Sequence, residues 1–129
     1  MVYNFTMKKN YYVGNFKSGF EKSNGWFVGS FLPEGFAKTN DVELKYFNHI
    51  AGEKFDFHKH NKKIEIGIIL SGKMKLIVNN EEFIVESGQF WFAEKGEVVM
   101  QEFLEKTEGF AIHAPCVPSD KEIVDFLKK

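Results

Sequence analysis

Apolar residues in this chain come in short runs, broken every few positions by Gly, Asn or charged residues. Gly25–Leu32, Val42–Ile50, Lys54–Lys59, Ile64–Leu70, Lys73–Val78, Glu82–Glu86, Gln89–Ala93, Glu97–Leu104 and Gly109–His113 read as strands rich in Val, Ile and Phe. Their spacing is that of an all-β barrel or sandwich. Asn79-Asn80 lies between KLIV and EEFIV; because Asn tolerates positive φ, this dipeptide reads as a two-residue hairpin turn. Only the end of the chain has a helical pattern. Ser119-Asp120-Lys121-Glu122 forms a capping box, followed by Ile123, Val124 and Leu127 at helical spacing. The pattern therefore predicts a short amphipathic helix over 119–128, docked on the barrel. No repeat, low-complexity tract or linker divides the chain, so residues 1–129 form one domain. Its strands before residue 42 pack on a core spanning 42–115.

Composition narrows the classes of partner. The 129 residues hold 15 Phe, 4 Tyr and 2 Trp, enough for an aromatic-rich interior. A formal net charge of −1 gives no field to recruit nucleic acid or an anionic membrane. All 17 basic residues are Lys; the absence of Arg disfavours bidentate recognition of phosphate-rich ligands. One cysteine, Cys116, permits no intrachain disulfide, and it reads as a small packed residue. No apolar stretch approaches membrane-span length, and the N-terminus lacks a signal-peptide pattern. A cytoplasmic protein is the expectation.

One segment carries chemistry. From Gly52 the chain reads GEKFDFHKHNKKIEIGIILSG: Gly52, five residues, His58, one residue, His60, four residues, Glu65, six residues, Gly72. Two His one residue apart on a strand share a face, and a turn through 61–63 returns Glu65 beside them. Two imidazoles and a carboxylate make a ligand set that suits Fe(II), Mn(II), Ni(II) or Zn(II).

This spacing resembles the first motif of the cupin superfamily, matched here at every defined position from Gly52 to Gly72. The resemblance covers roughly residues 42–115 and implies a single jelly-roll β-barrel with a metal in a small-molecule pocket. The second cupin motif is partial. Gly88 and Gly96 match, but Glu94 stands where Pro is expected, Val99 where a metal-binding His is expected, and Phe103 where Asn is expected. Val cannot coordinate, so any metal would have three protein ligands, His58, His60 and Glu65, and open positions for water or substrate.

Further candidates surround that set. Gln101 shares the strand face of the missing His, so its amide can line the ligand pocket. His113 lies in GFAIHAP, similar to the closing strand of small cupins, and is a second pocket candidate. Glu65 is the candidate general base if no metal is bound. Asp56 shares the parity of the two His; it reads as a surface residue at the start of the strand, with holding an imidazole as the alternative. Ile66, Ile68 and Leu70 have the parity opposite to Glu65, so they face outward and need cover, either from Tyr11–Phe16 and Trp26–Phe31 or from a second subunit. Small cupins commonly dimerise in this way, so the resemblance implies a homodimer. Three functions fit: a metal-dependent enzyme of dioxygenase or isomerase type, a metal-free sugar isomerase or epimerase using His as base, and a non-catalytic ligand-binding or regulatory cupin.

Overall fold

Hydrogen-bond pairing sorts the strands into two antiparallel five-stranded sheets packed face to face. The computed structural model describes residues 10–17 and 24–125. The strands are β1 (Trp26–Val28), β2 (Glu43–His49), β3 (Lys54–His60), β4 (Ile64–Ser71), β5 (Lys73–Val78), β6 (Glu81–Glu86), β7 (Phe90–Ala93), β8 (Val99–Phe103), β9 (Thr107–Ala114) and β10 (Lys121–Ile123). One sheet runs β1-β2-β9-β4-β7 and the other β10-β3-β8-β5-β6. All nine runs expected as strands contain one. The first shrinks most, because the chain leaves β2 after Val28 and turns at Gly29.

Alternation sets the interior. Odd-numbered residues of β2, β4, β7, β8 and β9 point between the sheets, where Phe47, Ile69, Trp91, Ala93, Val99 and Phe103 join Met74, Leu76 and Val85 in one core. Asn79 and Asn80 have φ of 46° and 76°, the left-handed pair that lets β5 fold straight back into β6.

The sheets do not close into a continuous barrel among the described residues: β6 and β7 are edge strands of different sheets. Between them lies an apolar groove of about 860 Å³, walled in part by Phe83, Ile84, Phe90 and Phe92. The outward row on β4 is covered in part. Phe16 stacks on Tyr46 and Phe110, and Phe27 on Phe110, shielding the β2–β9 side. Toward β7, Leu70, Phe90 and Phe92 stay exposed.

The expected C-terminal helix is not formed. Lys121–Ile123 is β10, antiparallel to β3, with Lys121 opposite His60 and Ile123 opposite His58. The remainder of the expected helix, 126–128, lies outside the described residues. An isolated helix of that length is marginal, and here the unpaired edge of β3 offers backbone hydrogen bonds instead. The Asp120 carboxylate accepts from the backbone N–H groups of Asn61 (3.2 Å) and Lys62 (2.7 Å), and so braces the β3–β4 turn. No helix among the described residues is long and apolar enough to cross a membrane.

Candidate metal and ligand site

Five charged or titratable side chains meet between the sheets. In one sheet the strand register sets Glu43 of β2 opposite His113 of β9, and His113 opposite Glu65 of β4, making a row across three strands. The other sheet supplies His58 and His60 from β3. All five are buried.

Glu65 sits at the centre. Its Oε2 accepts the Trp91 indole N–H at 2.8 Å, and its Oε1 lies 3.3 Å from His60 Nε2 and 3.4 Å from His113 Nε2. Burial disfavours its charge, but hydrogen bonds from His113, His60 and Trp91 outweigh that cost and hold its carboxyl well below the usual range. Trp91 can lie in this place because residue 67 is Gly: a Cβ there would collide with the six-membered ring of the indole. Trp91 carries no local signal for this role: its place opposite Gly67 depends on a strand register that local pattern does not reveal.

His58 is oriented by its own strand. Its Nδ1–H donates to the backbone carbonyl of Asp56 at 2.7 Å, leaving Nε2 as the lone-pair atom of the neutral ring. The Asp56 side chain is exposed, as its reading as a surface residue expects; the imidazole is held by the backbone carbonyl of that residue. Burial pushes both His58 and His113 down, which favours the neutral, ligating form. A shift of register between Phe55 and His58 turns Phe55 inward as well, and its ring joins the cavity wall.

The second row is an ion pair. Lys63 Nζ donates to Glu43 Oε1 at 2.7 Å, and the Val117 backbone N–H reaches the same oxygen at 3.1 Å. Both side chains are buried, Glu43 at 1% exposure and Lys63 at 3%. The same Glu43 oxygen lies 3.9 Å from His113 Nδ1. Neither residue stood out in the sequence.

A cavity of about 180 Å³ opens onto this cluster, with Gln101, His58, His60 and His113 in its lining. Gln101 is buried on β8, as the parity argument requires, while Val99 packs in the core opposite His58 and contributes no donor. Cys116 is a packed free thiol, accepting the Ser30 backbone N–H at 3.4 Å.

A family profile described as "Cupin domain" matches residues 46–99. This chain carries a cupin domain over residues 46–99. Solved cupin-fold structures agree in architecture. A conserved protein with a double-stranded β-helix domain from Klebsiella pneumoniae superposes with a TM-score of 0.61 at 18% identity, covering 67% of this chain and 77% of its own. The DMSP lyase DddQ from Ruegeria pomeroyi gives 0.66 at 15% identity, covering 77% of this chain and 49% of that one. A predicted oxalate decarboxylase from Thermotoga maritima gives 0.52 at 21%, covering 57% and 80%. At such identities the likeness concerns the fold. No curated protein matches this sequence.

In this cupin, His58, His60 and Glu65 offer one donor atom each within 4.8 Å of one another, a cluster that could hold a metal ion. The surroundings fit such an ion. His58 has its tautomer fixed, and His60 and His113 each keep a buried Nδ1 with no hydrogen-bond partner, a cost that a bound cation or ligand would relieve.

Proposed function

We propose that this cupin binds one divalent metal ion through His58, His60 and Glu65, at the base of a cavity that takes a small molecule. The convergence of three buried donors carries the reading. His58 would ligate through the nitrogen left free by its hydrogen bond to Asp56, and Glu65 is anionic at any physiological pH. When bound, such a metal supplies a Lewis acid or, for iron, a redox centre. The chain's own contribution is placement. Trp91 orients the carboxylate and walls off water, Gln101 offers an amide to the ligand, and His113 can hold a proton at Nε2 toward Glu65. The fold shared with a DMSP lyase and a predicted oxalate decarboxylase supports an enzyme on a small substrate. Elemental analysis of the untagged protein tests it. Near one Zn, Fe, Mn or Ni per chain is expected, lost in H58A/H60A; no metal after purification and reconstitution overturns it.

A second reading has one observation in its favour: Glu65 is already satisfied by His60, His113 and Trp91. A metal-free cupin using the imidazoles as acid and base, with Glu65 as proton acceptor, would show that arrangement. Its lowered pKa makes Glu65 a weak base and favours the ligand role. We also assign a homodimer, in which a second copy covers Leu70, Phe90 and Phe92. A cytoplasmic setting suits the single free thiol.

A further inference from the structure

The cavity that faces the His-His-Glu cluster is bordered by three lysines, and they are not equivalent. Lys63 is neutralised by Glu43 inside the wall. Lys45 and Lys121 have no carboxylate within ion-pair distance among the described residues, while many surface lysines do: Lys59 has Glu122, Lys73 has Glu86, and Lys75 has Glu82 and Glu102.

Both unpaired ammoniums are held by the cavity's aromatic walls. Lys45 is on the inward face of β2, between Glu43 and Phe47, with Nζ 5.6 Å from the centroid of Trp26. Lys121 comes from β10 with Nζ 5.2 Å from the centroid of Phe55. Cation–π contacts orient the two heads without discharging them. Burial lowers the Lys45 pKa, and the charge of Lys121 lowers it further, so each head feels the other. Lys45 is half-buried and Lys121 exposed, and two like charges brought together with no carboxylate in reach among the described residues are unfavourable until an anion sits beside them.

We infer that Lys45 and Lys121 form an anion-recognising rim and that the cavity's ligand is a small carboxylate, one oxygen facing each ammonium. This rests on the reading of the cavity as the ligand site, but not on a metal being bound. The size agrees: about 180 Å³ is below the roughly 300–1,000 Å³ of pockets for drug-sized ligands. Two point donors match the two oxygens of a carboxylate. A phosphoryl group, with three oxygens, finds neither Arg nor, among the described residues, a helix N-terminus here.

Both tryptophans of the chain, Trp26 and Trp91, line the cavity, so intrinsic fluorescence reports on its occupancy. Metal-stripped and zinc-loaded protein would each be titrated with malonate, with its neutral counterpart malonamide, and with inorganic phosphate. In the stripped protein, malonate should bind at least tenfold tighter than malonamide or phosphate. K45M/K121M should lose at least tenfold in malonate affinity while its zinc content is unchanged. Equal binding of malonate and malonamide in the wild type, no malonate binding at all, or wild-type affinity in K45M/K121M overturns the inference. Phosphate binding as tight as malonate overturns the carboxylate assignment. Comparison of malonate with malonamide needs no variant, so a misfolded mutant leaves the test intact. Failure of zinc retention with malonate discrimination preserved would sink the metal reading and leave the lysine rim standing.

Discussion

The cavity at the His-His-Glu cluster and the groove between β6 and β7 share a wall, the Trp91 indole, and little else. The groove is the larger, about 860 Å³ against about 180 Å³. Its lining is mainly apolar and half exposed, and no buried polar group in it lacks a partner. The smaller cavity is lined by the buried Glu65 carboxylate, the buried imidazoles of His58, His60 and His113 and the buried Lys63 ammonium, groups that each need a partner. Volume alone would point away from the His-His-Glu cluster. Buried polar groups are costly to place, and they mark where this fold has chemistry to do.

The contrast can be broken most severely at the Glu43–Lys63 pair. Removing one member of a buried ion pair leaves an uncompensated charge, so K63A should cost about 3–5 kcal/mol in denaturant unfolding. E43L/K63M should recover most of that loss. A K63A protein as stable as wild type would show that the pair is not held as described.

Next comes the shared wall. G67A places a methyl where the indole ring lies and should cost about 1–3 kcal/mol while displacing Trp91. W91F keeps the bulk but removes the N–H that orients Glu65. It should weaken zinc binding by about 10–100-fold, with a smaller change in unfolding midpoint. If W91F lowered stability and left zinc affinity untouched, Trp91 would be core and no more.

Acid should act on the small cavity. His58 and His113 have folded pKa values below their unfolded ones, so the unfolded chain takes up protons first as pH falls below about 6.5. Stability of the metal-stripped protein is therefore full above that pH and declines below it. The Glu65 contribution, present above the unfolded carboxylate pKa of about 4.3, is lost at still lower pH. Urea midpoints at pH 8 and pH 5 check the first part; a midpoint that rises on acidification contradicts it.

The smallest effect belongs to the groove. F83S or F90S should change the stability of one chain by no more than about 0.5 kcal/mol, since both rings are largely exposed. Sedimentation of F90S separates the two ways this face can matter: a wild-type dimer that falls to monomer in F90S assigns the face to the second copy, and an unchanged mass does not.

What the sequence disclosed follows the range of the interactions involved. His58, His60 and Glu65 were legible because strand parity and a short turn bring them together within eight residues of chain. Gln101 followed from the same parity on β8. His113 was only a candidate, since its position depends on which strands flank β9. Glu43, Lys63 and Trp91 reach the cluster through pairings between distant segments and carry no local pattern. Residues 119–125 show the same limit from the other side: a sound capping box lost to an open strand edge. The shift of register between Phe55 and His58, which brings Phe55 and the two His onto one surface, is also invisible to strict alternation.

The last strand bears on how this protein comes into being. β10 completes the edge of β3, and Asp120 braces the turn beyond it across 59 residues; Glu43 waits for Val117 across 74. Little of the cluster can exist in a chain that is still being made. Folding must close these long loops before the site's contacts repay the entropy, which places the protein among slow, long-range folders. On the proposed reading, metal capture then follows the docking of β10.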